Sequence, residues 1–470
     1  MRAQRNTPDY MKGVAAFLLI IFTLVNASGQ TATLSTIRTK QNRIVMYIDG
    51  ERTSFNGVND APKDFHYNFA LEKPSIPFIL VSEKDSVSLT LNYGVITHFQ
   101  IIREAKGDTL QGHFTSHKLV KKAVFSDAYK KVNEGKTLVE IPEVYELINV
   151  VFALTDYGKT DAIDKDTEYY PQVMSHFSPY KNHPVVRTID SLLRASADNY
   201  APLKMDGYAY SFQGDKLVKS PIYDRISWGE LNRLTPYVPL LESFARKSRF
   251  RSFFKAHTPY YTKLISDFQK RVNVATMKTW LEKQFPATHY SAVKMLFTPL
   301  VGSNQSANNF EDNGFKEAQA HINYPFISKA LVAQPEDVIR GRQMVIAFTE
   351  LNHSYLNPEA DKYARDVSAA YKNRVAWITS NTPSSNYDNP LSCFEEYMNY
   401  GLVTLLFADL FDTKTFTTLN EGIESNMVAS RGFRKFHEFN QELLRLYKNK
   451  EPGQTVADLY PAIIAWAAKQ

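Results

Sequence analysis

The sequence holds one cysteine, Cys393, in 470 residues. Neither a disulfide framework nor an N-terminal lipid-modified cysteine can be built from it. Blocks of Lys and Arg are also missing: a net charge of +6 is spread over a chain with 22% charged residues. Nothing therefore tracks a nucleic-acid backbone, and nucleic acid is excluded as a partner. Beyond the N-terminal segment no run approaches the roughly 20 apolar residues that span a bilayer. A G-x-S-x-G elbow and a phosphate-cradling P-loop are absent too, which argues against serine-hydrolase and nucleotide chemistry. What remains is a globular composition, 44% apolar, long enough for two or three units with a substantial core.

The first thirty residues form a unit of their own. Arg2, Arg5 and Lys12 precede an apolar run from Val14 to Val25, and small residues Ala27 and Gly29 follow. This order of basic, apolar and small segments is that of a secretory signal peptide, here residues 1–29. A run of 12 residues is too short to anchor the chain, since spanning hydrocarbon takes about 20. The expected destination is the periplasm or the extracellular space, as a protein that is not a lipoprotein and has no stable membrane span.

From Thr33 to Lys121 apolar residues recur with period two, as in Ile44–Ile48, Phe78–Val81 and the set Val87, Leu89, Leu91, Tyr93. Such alternation puts one row of side chains on a core and the other in water, so residues 30–125 read as a β-rich domain. Behind Pro142 the period changes, with Val144, Leu147, Ile148, Val151 and Leu154 at helical spacing. Helical segments then dominate residues 140–470: Val185–Leu193, Tyr237–Phe254, Thr262–Gln284, Glu336–Tyr355, Ala360–Asn373, Cys393–Phe407, Phe433–Tyr447 and Val456–Ala468. Strands are expected at Ala292–Thr298 and Ala318–Ile322, joined by a polar Asn/Ser segment. The fold class is α+β, a β-rich N-terminal domain followed by a mainly helical domain with a small sheet.

Chemistry concentrates in Thr349-Glu350-Leu351-Asn352-His353-Ser354-Tyr355-Leu356-Asn357-Pro358, on a helix that Asn357-Pro358 is expected to end. In H-E-x-x-H, residues four apart on one helical face hold a zinc ion and the Glu serves its bound water as general base. Here Glu350 and His353 stand at the general-base and second-ligand positions, and Thr349 at the first. By itself an E-x-x-H pair more often marks a solvated face. A later helix raises its weight. Within Asn389–Tyr400, Ser392 and Glu395 have capping-box spacing. Glu396 lies instead on the stripe Cys393, Glu396, Tyr400, Val403, Phe407, an otherwise apolar face on which a carboxylate needs a partner. That partner is an arginine such as Arg342, a tyrosine hydroxyl, a protonated histidine or a metal. Cys393, on the same stripe, reads as a small core residue.

The order of this helix, its Asn-Pro stop and a later glutamate-bearing helix resembles the gluzincin branch of zinc metallopeptidases. More closely, residues 140 to 440 resemble an uncharacterised family of exported bacterial zincin-like proteins. These carry an H-E-x-x-H-S-aromatic-x-N-P segment followed by a Cys-x-x-Glu helix, and an entry helix similar to Ile141–Val150. The resemblance implies Glu350 as general base, with His353 and Glu396 as zinc ligands. It also exposes two departures: Thr349 at the first ligand and Tyr400 where an arginine is usual. Two strong ligands fall short of the three that catalytic zinc takes. The leading expectation is thus an impaired metallopeptidase that binds peptide or an envelope partner. One alternative is an active zinc protease with Glu350 as general base, in which His353, Glu396 and an unidentified third ligand hold the metal; His321 and His289 are candidates for that ligand, and Tyr355 and Tyr324 for a hydrogen bond to the substrate carbonyl. Another is a non-enzymatic cell-surface binding protein in which the β-rich domain does the work.

Overall fold

The computed structural model describes Ser35 to Gln470; the signal segment read at 1–29 lies outside the described residues. The described chain divides into two units, one ending at Lys121 and one running from Lys122 to Gln470. As expected from the sequence, the first is β-rich and the second is mainly helical with a small sheet.

In the first unit eight strands form two four-stranded sheets: β1 (Ser35–Thr39), β2 (Arg43–Ile48), β3 (Glu51–Asn56), β4 (Asp64–Leu71), β5 (Ser75–Val81), β6 (Ser86–Asn92), β7 (Thr97–Arg103) and β8 (Asp108–Lys118). One sheet has the order β1-β7-β8-β4, the other β3-β2-β5-β6. The period-two alternation gives each sheet one apolar face, and Ile37, Ile44, Phe78, Leu91, Ile101 and Leu110 from the two sheets share one buried core. Phe69, Phe78, Phe99 and Phe114 pack edge-on or tilted at its centre. Gly112 opposes Phe99 across β7 and β8; a Cβ there would run into the ring, so only glycine lets Phe99 lie flat over the strand.

The sheet of the second unit has the order β13-β14-β12-β9, from β9 (Thr137–Glu140), β12 (Ala292–Leu296), β13 (Ser306–Asp312) and β14 (Phe315–His321). A hairpin of β10 (Tyr210–Gln213) and β11 (Lys216–Lys219) stands apart from it. Strands β9, β12 and β14 run parallel, and β13 turns back antiparallel as an edge. β13 lies inside the segment read as a polar linker. Its polar residues hid a buried strand because they are satisfied: Asn308 Nδ2 contacts Met205 Sδ at 3.1 Å and Asp312 accepts the Phe125 N–H at 3.0 Å.

Two predicted helices are each split. Tyr237–Phe254 is two helices, Val238–Lys247 and Phe250–Ala256, broken at Arg249 with φ 54°. Thr262–Gln284 is Thr258–Val272 and Val274–Gln284, broken at Asn273 with φ 49°. Asparagine tolerates this left-handed conformation, and its side chain then caps the next helix by accepting from the Thr276 N–H at 3.2 Å. Periodicity survives such a break because the apolar faces stay on one side.

The helix carrying Glu350 and His353 does not end at Asn357-Pro358. It runs from Glu336 to Lys362 with Pro358 inside, and the next helix is Ala364–Ala370 rather than one beginning at Ala360. Proline removes the N–H that the carbonyl four residues back would receive, here that of Ser354. The Tyr290 hydroxyl supplies the missing donor, bonding Ser354 O at 3.0 Å. A long-range tyrosine thus carries the helix across its proline. Tyr290→Phe, which strands that carbonyl in a buried site, is expected to destabilise the fold by about 1–3 kcal/mol in urea unfolding, and the loss should be absent when Pro358→Ala restores the N–H.

Candidate functional site

The helix Glu336–Lys362 lies against the helix Pro390–Leu410, and their contact is polar where it meets a cleft. Asn352 Nδ2 donates to the Asn399 backbone carbonyl at 3.0 Å, tying the two together. The second helix starts at Asn389, whose side chain accepts from the Ser392 N–H at 2.9 Å, with Pro390 in the first turn. Ser392 is therefore already helical, and the capping box read from Ser392 and Glu395 does not form. An Asn-Pro pair sets the start one turn earlier than the Ser-x-x-Glu pattern. Glu395 and Glu396 are both buried.

Thr349, Glu350, His353 and Glu396 all line one cleft of about 440 Å³, along with Tyr157, Asn304, Tyr387, Asn399, Tyr400 and Arg431. The four positions read from the sequence are thus brought together. His353 Nε2 lies 3.7 Å from Glu396 Oε2. Asn399 Nδ2 sits between them, 2.9 Å from His353 Nε2 and 3.2 Å from Glu396 Oε2. On its other side the His353 ring meets Asn357 Oδ1 at 3.2 Å. Thr349 turns its hydroxyl to its own helix, donating to Ile346 O at 3.1 Å.

The partner of Glu396 is Arg431 rather than Arg342, with Nη1 to Oε1 at 2.6 Å. Arg431 follows a π-helical turn, Asn426–Ser430, and its own N–H bonds Asn426 O at 2.9 Å. Gly432 next to it has φ 82° and no room for a Cβ against Thr382, so the segment can turn only on glycine. The guanidinium donates to the Tyr387 hydroxyl at 3.0 Å and covers the Tyr400 ring at 4.6 Å. Burial pushes the Glu396 carboxyl up, but Arg431 and His353 outweigh it and hold it below its usual range. Burial lowers His353, against the pull of Glu396.

Glu350 behaves in the opposite way. Burial first, and then the charge of Glu396, push it up to about 8, so its carboxyl is protonated at neutral pH. Behind the cleft Lys204 is fully buried, donates to Asn304 O at 2.7 Å and is pushed down to about 7 by burial, with Glu350 opposing. Neither Lys204 nor Arg431 belongs to any sequence motif. Arg431 could be found only by asking which cation answers the buried Glu396, and composition offers no way to choose among 55 lysines and arginines.

The remaining candidates fall elsewhere. His289 is exposed and pairs with Glu282 at 2.8 Å. His321 is buried on β14, stacked on Tyr145 with ring centres 5.6 Å apart. Tyr355 packs on Tyr290, and Tyr324 on Phe297. None of the four lines the cleft. The Cys393 thiol is buried and pushed up to about 12, a core group and not a nucleophile.

Zinc, the cofactor that the sequence resemblance implies, does not fit these groups as they stand. Of the donor set, Glu396 is neutralised by a guanidinium, His353 Nε2 faces an amide nitrogen, and Thr349 offers an alcohol already used by its helix. Among the described residues no three His, Cys, Asp or Glu side chains converge as a metal group. Nor is any helix of the described residues long and apolar enough to cross a membrane.

A family model described as a domain of unknown function, DUF4932, matches residues 137–466, and the chain belongs to that family. The matched residues contain every cleft residue named above. No curated protein and no solved structure matches the chain.

Two outcomes are expected from this geometry. Arg431→Met leaves a buried carboxylate unpaired and should cost about 3–5 kcal/mol in urea unfolding, with most of it recovered in Arg431→Met/Glu396→Gln. Glu350 has a folded-state pKa above its unfolded value of 4.5, so its stabilising effect is complete below that value and is lost as pH rises through about 8. The stability of the natural chain relative to Glu350→Gln should therefore fall between about pH 5 and pH 8. A difference that stays flat with pH would show Glu350 ionised throughout.

Proposed function

We propose that the second unit is a zincin-like, metallopeptidase-related domain of an exported protein, in which an arginine has taken over the metal's place. On this reading it binds a peptide or an envelope partner in its cleft without cutting it. The observation that carries it is the Arg431–Glu396 ion pair at 2.6 Å. A cation still answers the glutamate that the sequence pattern gives to the metal, but it is covalently part of the chain. A guanidinium cannot acidify a bound water as zinc does, so the hydrolytic step is lost while the cleft stays charged and shaped.

Peptide as the ligand class is supported by the lining and its setting. Tyr157, Asn304 and Asn386 offer a hydroxyl and amides suited to a main chain. Ser303, Asn304 and Gln305 of the cleft lead directly into the edge strand β13, and extended peptides recognise sheet edges through main-chain hydrogen bonds. Export rests on the basic, apolar and small-residue order of the first thirty residues.

The test is incubation of the natural chain with zinc and a mixture of unmodified peptides, followed by mass spectrometry of the free and retained fractions. Retention without cleavage is expected. Thr349→His/Arg431→Met should take up one zinc equivalent more than the natural chain, since the metal then replaces the lost guanidinium as counter-ion to Glu396. Cleavage by the natural chain that Glu350→Gln abolishes would instead establish an active protease.

A further inference from the structure

The outer face of the sheet β1-β7-β8-β4 carries an unusual row. His98 on β7 and His66 on β4 are both register partners of His113 on the central β8, so three histidines stand side by side across three adjacent strands. They lie on the solvent side of the sheet, where their chain neighbours Phe99 and Phe114 point into the core. His98 and His66 are exposed and the His113 side chain is 30% exposed. Neighbouring strands are about 4.8 Å apart, so each imidazole is within reach of the next.

The donor atoms are arranged as a ligand pair. His113 Nε2 bonds Asp64 Oδ1 at 3.0 Å. A carboxylate on one ring nitrogen fixes the imidazole so that the other, Nδ1, is left with its lone pair. That Nδ1 is 2.6 Å from Nδ1 of His98, with the two rings at 85°. Two imidazole nitrogens so placed can share a single proton, and they need to part by less than an ångström to chelate an ion at the usual distance of about 2.0–2.1 Å. His66 does not yet converge on that point: its Nε2 is turned along the strand to Thr115 Oγ1 at 2.9 Å. It is exposed, and its register partner on the adjacent strand is His113.

We propose that His98, His113 and His66 form a binding site for a divalent transition-metal ion on the β-rich unit, with Asp64 orienting His113. Three neutral imidazoles and an open fourth position suit Zn²⁺ and Cu²⁺, with Cu²⁺ the tighter. The site lies outside the residues matched by the family model and is independent of the cleft.

The experiment is calorimetric titration of the metal-stripped full chain, without a histidine tag, with Zn²⁺, and electron paramagnetic resonance of the Cu²⁺ form. One equivalent should bind, with nitrogen couplings on Cu²⁺. His98→Ala/His113→Ala should weaken Zn²⁺ at least 100-fold, and Asp64→Asn about tenfold. His353→Ala should leave it unchanged. All these side chains are at least partly exposed or lie in the other unit, and thermal unfolding of each variant checks that the fold is kept. Affinity in the double histidine variant equal to that of the natural chain would overturn the proposal. So would loss of zinc confined to His353→Ala, which would place the metal in the cleft.

Discussion

The cleft depends on one buried ion pair. Glu396 stands on a helix face made of Cys393, Val403 and Phe407, where an unpaired carboxylate would cost several kcal/mol or give up its charge. Arg431 meets that need from a segment that had to be shaped for the purpose, a π-helical turn followed by a glycine with positive φ. Once the pair is in place the surrounding groups follow. Tyr387 and Tyr400 take up the remaining faces of the guanidinium, and Asn399 joins the carboxylate to His353. The ionised Glu396 in turn helps to keep Glu350 protonated. Two glutamates within one cleft are thus held in opposite protonation states, one by a cation and the other by burial and the charge of the first.

That asymmetry has a chemical consequence. A general base in this position must be ionised, and Glu350 becomes so only above the neutral range. A metal ion would supply the positive charge needed to ionise it, but the local cation is spent on Glu396 at 2.6 Å. The residues that the sequence pattern gives to a hydrolytic centre are therefore an ion pair beside a protonated carboxyl.

Several features of the fold were legible because they rest on local repetition. The change from period two to helical spacing near Pro142 marks the passage from strands to the helix Glu143–Ala153. The Thr349–Glu350–His353 face and the Glu396 stripe were legible for the same reason, and the two helices do meet. Illegible features rest on partners far away in sequence. Pro358 reads as a stop, and only Tyr290, which bonds the Ser354 carbonyl from 64 residues earlier in the chain, makes it an interior residue. β13 reads as a linker because its polar side chains find partners in other elements. Asn273 reads as one residue of a long helix, and its left-handed backbone is a matter of how two helices must pack.

By itself the sequence determined the order of a β-rich and a helical region, the α+β class, and the set of Thr349, Glu350, His353 and Glu396, which share one cleft. These follow from spacing along single elements, which the backbone geometry of a helix or strand imposes on any chain. Tertiary structure alone decided which cation answers Glu396, which protonation state Glu350 takes, and that three histidines from different strands share one row. The physical reason is that charge and desolvation act through space: burial and the distance to the nearest opposite charge are properties of the packed chain, and no local pattern encodes them.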